Sequence, residues 1–239
     1  MIDLEKAPFH STNETRILTS FEKVSKYHEV FVKAFTDIKN NHLISEQVLL
    51  MDGMSGGCYR SFINNLIRNL KDDARYLEIG SWKGSTICSA INNNKCKATC
   101  IDNWSEFNGP KIEFISNIQS FTNKEVDFNF IERSFRDIDY SSIGKYNVYM
   151  FDGPHEERDQ YDGVVLTQAA LDEQYILIVD DWNWPEVRRG TERAIKDLNL
   201  EVFESIVVFT ESTGQRLVVP RPNQWHNGYY IAVVKKTKS

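Results

Sequence analysis

One segment constrains the fold of this chain more than any other: Arg75-Tyr-Leu-Glu-Ile-Gly-Ser-Trp-Lys-Gly-Ser-Thr86. Its apolar start reads as a buried strand, its glycines as a tight turn, and its end as the first turn of a helix. The next apolar run, Ala98-Thr-Cys-Ile-Asp102, ends in an acid. A strand, a glycine turn, a helix and an acid at the following strand tip form the layout of a nucleoside site.

The turn discriminates among nucleosides. A dinucleotide turn, Gly-x-Gly-x-x-Gly, needs a bare second glycine where the backbone approaches the pyrophosphate. Trp82 stands at that point, and Gly80 and Gly84 follow a Gly-x-x-x-Gly spacing. A ligand without phosphates needs less bare backbone, so an NAD-linked oxidoreductase is disfavoured. Here the sequence resembles the class I S-adenosylmethionine (SAM)-dependent methyltransferases, whose first motif, acid-x-Gly-x-x-x-Gly, matches Glu78, Gly80 and Gly84.

The rest of the chain alternates in the same way. Strands are expected at 76–79, 97–102, 127–132, 146–152 and 175–180. Helices are expected near 84–93, 110–121, 156–171 and 185–198, the last with Pro185 in its first turn. Such alternation implies a parallel sheet covered on both faces. Strands at 202–209 and 229–234 follow with no helix between them, so they pair antiparallel. The expectation is an α/β fold: a doubly wound, seven-stranded, mostly parallel sheet with an antiparallel last strand. That ending is a further resemblance to the class I methyltransferases.

Before Arg75, apolar residues at Ile17, Phe21, Val24, Phe31, Phe35 and Ile38 suggest one long helix, with His28 on its stripe. A second helix carries Tyr59, Phe62, Ile63, Leu66, Ile67 and Leu70 on one face, after a turn at Met51-Asp-Gly-Met-Ser-Gly-Gly57. These segments predict an N-terminal helical extension or lid over 1–72, with the SAM-binding Rossmann-like domain over 73–239. The first helix packs either on the main domain or on a second subunit, which would make the chain a homo-oligomer.

The 239 residues carry a net charge of -6, 41% hydrophobic and 26% charged, and no basic cluster precedes Lys235. That balance is globular and argues against nucleic-acid binding, which depends on phosphate neutralisation. There is no signal-peptide core and no membrane-length apolar run, so the expected setting is cytoplasmic and off the membrane. Cys58, Cys88, Cys96 and Cys100 lack Cys-x-x-Cys spacing and read as free thiols.

Ligands of such sheets bind beyond the carboxyl ends of the strands. Two of those ends carry acids: Asp152 in Phe151-Asp-Gly-Pro-His155, and Asp180-Asp181-Trp182. Adjacent strands lie about 4.8 Å apart, so three carboxylates can surround one point. Clustered anions repel unless a cation joins them, and oxygen ligands suit Mg²⁺ or Mn²⁺. Each Asp could alternatively be only a helix cap.

The arrangement resembles the metal-dependent sugar and macrocin O-methyltransferase group, which includes cephalosporin-hydroxylase-like relatives, with catechol O-methyltransferases more distant. The resemblance implies a SAM-dependent, Mg²⁺- or Mn²⁺-dependent O-methyltransferase acting on a small-molecule hydroxyl, carbohydrate before catechol or phenol. A metal-dependent hydroxylase-like chemistry, or a non-catalytic nucleoside-binding partner, are the rival readings. The implied metal ligands are Asp152, Asp180 and Asp181, with Asp181 where the catechol enzymes usually have Asn. The implied catalytic residues are Asp152 and His155, the latter at the position of the catechol enzymes' lysine.

The implied SAM residues are Glu78 and Gly80 near the methionine end, with Ser81, Gly84 and Ser85 lining the turn. Asp102 would take the ribose hydroxyls and Trp104 and Phe135 the adenine, with Asn103 and Ser134 as further cofactor contacts. Trp104 and Phe135 either sandwich that ring or pack in the core. Arg216, Arg221, Trp225 and His226, between the last two strands, are candidate substrate contacts, and Trp182 and Trp184 a candidate sugar-stacking wall.

Overall fold

A computed structural model of the chain describes residues 15–210 and 224–237. Its central sheet has eight strands: β1 (Thr15–Phe21), β2 (Arg75–Ile79), β3 (Cys96–Asp102), β4 (Val126–Glu132), β5 (Tyr146–Phe151), β6 (Leu171–Val179), β7 (Leu200–Thr210) and β8 (Tyr229–Lys236). They lie in the order β1-β7-β8-β6-β5-β2-β3-β4. β2 to β6 are mutually parallel, and β8 inserts antiparallel between β6 and β7. The mostly parallel sheet agrees with the sequence, but the strand count is eight, not seven.

The additional strand is β1. Residues expected to begin a long helix instead pair antiparallel with β7, from Thr15↔Thr210 to Phe21↔Glu204. A spacing of four, as in Ile17 and Phe21, puts two side chains on one face of a helix and equally of a strand. The β-branched Thr15, Ile17 and Thr19 favour the strand, and Val24, next on the supposed stripe, is 79% exposed. The helix begins only at His28: α1 (His28–Thr36) is followed by α2 (Glu46–Leu49) and α3 (Gly57–Leu70).

Helices cover both faces of the sheet. On one, α1 and α3, with α4 (Ser85–Ile91) and α5 (Lys111–Phe121), bury Phe31, Phe35, Phe62, Leu66, Ile87 and Phe114 against Tyr76, Val148, Ile176 and Ile231. On the other, α6 (Glu157–Leu166) and α7 (Pro185–Asp197) bury Val164, Val187 and Ala194 against Leu77, Tyr149, Leu177 and Val179. The apolar face of α1 therefore packs on its own sheet. Alternation along β2 sends Leu77 and Ile79 to the second layer and Tyr76 and Glu78 to the first. The four cysteines are free, three of them buried. Among the described residues no helix is long and apolar enough to cross a membrane.

Candidate active site

The carboxyl ends of β2, β3, β4, β5 and β6 open into one cavity of about 520 Å³. That volume lies in the range of small-molecule sites, about 300–1,000 Å³. Its floor at the first end is the turn after β2. Gly80 adopts φ +84, and a Cβ there would lie 1.9 Å from the Asp152 carbonyl oxygen, so only glycine fits. Trp82 takes φ +45, a left-handed conformation that costs a non-glycine residue roughly 1–2 kcal/mol. Its strain is not isolated. Trp104, Phe107, Asn108, Asp181 and His226 also have positive φ, and all line this cavity. Strained backbone clusters where the surrounding fold over-determines a site.

Asp102 holds the turn. Its Oδ2 accepts from the amides of Ser81 (2.8 Å) and Trp82 (3.0 Å), and its Oδ1 accepts from the amide of Trp104 (2.8 Å). Oδ2 is thereby saturated, Oδ1 keeps one further lone-pair direction, and Asp102 lines the cavity. Ser81, Ser85, Asn103, Trp104, Ser134 and Phe135 line it as well. Trp104 and Phe135 pack in the core and also line the cavity. Trp104 packs on Phe114 and Phe130, Phe135 stands edge-on to Phe151, and each also presents a surface to the cavity.

Two expected cavity residues lie elsewhere. Gly84 faces Phe114 and supplies the left-handed residue before α4. Glu78 is fully buried one layer below the floor, where the Tyr76 hydroxyl donates to its Oε2 at 2.7 Å. Burial pushes its carboxyl up to about 8, against the hydrogen bond from Tyr76. The period-two alternation of β2 puts it under the helical layer, a signal present in the sequence.

The other end of the cavity holds the acids. His155 Nε2 lies 2.7 Å from Asp181 Oδ2 and 3.7 Å from Asp152 Oδ1. Carboxylate and imidazole atoms of Asp152, His155 and Asp181 all fall within 4.8 Å of one another, as do those of Asp180, Asp181 and His226. Burial and the neighbouring carboxylates push Asp152 and Asp180 above the usual carboxylate range. Burial acts the same way on Asp181, but the hydrogen bond and charge of His155 outweigh it and hold it low. Burial opposes the charge on His155, yet Asp152 and Asp181 raise it to about 10. Both acids thus favour the protonated form of His155. Asp181 Oδ1 is buried and makes no hydrogen bond. Asp181 belongs to both groups, Asp152 and Asp180 to one each, and acids so crowded, with an unsatisfied oxygen among them, fit a divalent cation.

The tryptophans separate. Trp184 lines the cavity with its ring 4.7 Å from His155. Trp182 is buried and stacks on Tyr230. Trp225, expected at the substrate, is also core: it stacks on Phe35 and abuts Phe62. Arg216 and Arg221 lie outside the described residues. His226, a candidate substrate contact from the sequence, lines the cavity beside Asp180 and Asp181. Met54, in the Met51–Gly57 turn, was not expected in the cavity at all.

No protein-family model matches the chain, and no curated protein matches it by sequence. Its fold is similar to those of solved structures. The O-methyltransferase TomG from Streptomyces achromogenes, in complex with SAM, superposes with a TM-score of 0.54 at 12% identity, covering 89% of this chain and 100% of that one. A SAM-dependent O-methyltransferase from Thermotoga maritima gives 0.52 at 14% identity, over 86% and 72%. TrmN from Thermus thermophilus gives 0.51 at 11% identity, and the match covers 80% of this chain and about half, 52%, of that one.

Proposed function

We propose that the protein is a SAM-dependent, divalent-metal-dependent O-methyltransferase acting on a hydroxyl of a small molecule, a carbohydrate by preference. The observation that carries this is the single cavity, which joins the Gly80–Asp102 turn to the cluster of Asp152, His155, Asp180 and Asp181. A nucleoside site and an oxygen-activating site are then within one substrate's reach. The similarity of fold to TomG and the T. maritima enzyme supports the choice of donor.

SAM supplies a methyl group on a sulfonium, already activated for transfer. The remaining lone pair of Asp102 Oδ1 would accept from a ribose hydroxyl, and Trp104 and Phe135 would border the adenine. Ser81, Ser85 and Met54 border the methionine end. Asp152, Asp180 and Asp181 hold the cation, which supplies Lewis-acid stabilisation of an ionising hydroxyl.

His155 takes the hydroxyl proton. As the base it would act as a neutral imidazole, its own proton having passed to solvent. Trp184 offers the acceptor a flat apolar face beside His155, suited to a sugar ring or an arene. Fixing the hydroxyl oxygen in line with the methyl group provides the rest of the rate.

Calorimetric titration with SAM, with and without Mg²⁺ or Mn²⁺, tests the donor; absence of any SAM binding would sink the proposal. Asp152→Ala should retain the fold and lose cation-dependent methyl transfer to a panel of sugars and catechols. Full transfer by that variant would remove the metal from the mechanism.

A further inference from the structure

His226 stands out among the residues around the acids because the sequence gives it no local reason to be there. β8 runs antiparallel to β6 in a register that pairs Val179 with Tyr230, so the turn preceding β8 sits beside the acids that end β6. That turn is pinned from several sides. Trp225 is buried among Phe35, Phe62 and Tyr229, and the Gly228 amide donates to the Trp225 carbonyl at 3.0 Å. The Asn183 amide donates to the Asn227 carbonyl at 3.0 Å, and the Thr210 hydroxyl to the His226 carbonyl at 2.7 Å. His226 itself is held at φ +46 and is 4% exposed. The fold spends strain and burial to bring an imidazole nitrogen within 4.8 Å of carboxylate oxygens of both Asp180 and Asp181. Asp181, which also touches His155, carries the buried oxygen that makes no hydrogen bond.

We infer that His226 is a nitrogen ligand of the cation held by Asp180 and Asp181, and that it makes the site select a first-row transition ion over Mg²⁺. This rests on the reading of the acids as a cation site and goes beyond it in naming the ligand and the metal class. Sites of oxygen alone suit Mg²⁺, Ca²⁺ and Mn²⁺, whereas imidazole favours the later first-row ions, Fe²⁺ through Zn²⁺. A ligand on a loop pinned by a core tryptophan also cannot withdraw without cost, which favours a resident ion over a loosely exchanging one.

The test uses the full chain, Co²⁺ and Mg²⁺ as probes, and binding as readout. Co²⁺ is followed by its visible absorption, and Mg²⁺ by calorimetry and by competition. The wild type should bind Co²⁺ at least about tenfold more tightly than Mg²⁺. His226→Ala should lose about tenfold or more in Co²⁺ affinity, with a changed Co²⁺ spectrum and Mg²⁺ affinity within about threefold. His226→Gln, which keeps bulk and polarity without an imidazole, should behave alike and serves if the alanine variant does not fold. Wild-type Co²⁺ affinity and spectrum in a folded variant would overturn the inference and leave the cation site standing. A wild type that binds neither ion would overturn both.

Discussion

Gly80 and Asp152 meet backbone to backbone: a Cβ on Gly80 would lie 1.9 Å from the Asp152 carbonyl oxygen. The contact joins the turn at one end of the cavity to a strand tip at the other, so neither can shift alone. Gly80→Ala would add a left-handed penalty of roughly 1–2 kcal/mol and an overpacking cost of about 1–3 kcal/mol. The expected outcome is a loss of about 2–5 kcal/mol in chemical denaturation, together with loss of both SAM and cation binding. A variant as stable as wild type, with both ligands bound, would show that the contact can relax.

Glu78 sets a pH dependence. Its folded pKa is raised to about 8 from an ordinary value near 4.5. Between those values the folded chain holds a proton that the unfolded chain has released, so stability falls as pH rises. The slope from this group is at most about 1.4 kcal/mol per pH unit. Glu78→Gln should flatten the decline measured by urea unfolding between pH 5 and 8. Identical slopes for the two proteins would mean that Glu78 is ionised in the folded state.

Arg60 is a buried guanidinium that binds a loop and not a carboxylate. It donates to the carbonyls of Val48, Leu49, Met51 and Gly53 and to Ser55 Oγ, at 2.7–3.3 Å. Burial lowers it to about 10, which leaves it charged at neutral pH. The Ser55 hydroxyl in turn contacts that of Ser85 at 3.0 Å, and Met54 lines the cavity. Arg60→Ala should cost about 3 kcal/mol, because buried carbonyls lose their donors, and should weaken SAM binding. Arg60→Lys, with fewer donors and no planar fork, should fall between. Denaturant melts and SAM titrations of the two variants decide this; a neutral Arg60→Ala would refute it.

Much of this site was legible before folding was considered. Gly80, Asp102, Asp152 and the Asp180–Asp181 pair each belong to a strand-tip pattern contained within a few residues. β1 was not, because a spacing of four fits a helix turn and two pleats of a strand equally. Trp225 was misplaced because an aromatic residue in a loop looks the same whether it faces a ligand or a core. Glu78 could have been placed by the alternation of β2, had its motif position not suggested a contact with the donor.

What each strand tip carries is a local property of the chain. Hydrophobic periodicity, glycine conformation and tip acids follow from local sterics and from which face of a segment avoids water. Only the tertiary structure decided which tips meet. The insertion of β8 between β6 and β7, and the pairing of β1 with β7, come from packing the whole sheet under two helical layers. That choice sums contacts far apart in the chain, and it is what carries His226 to Asp180 and Asp181 while sending Trp225 into the core.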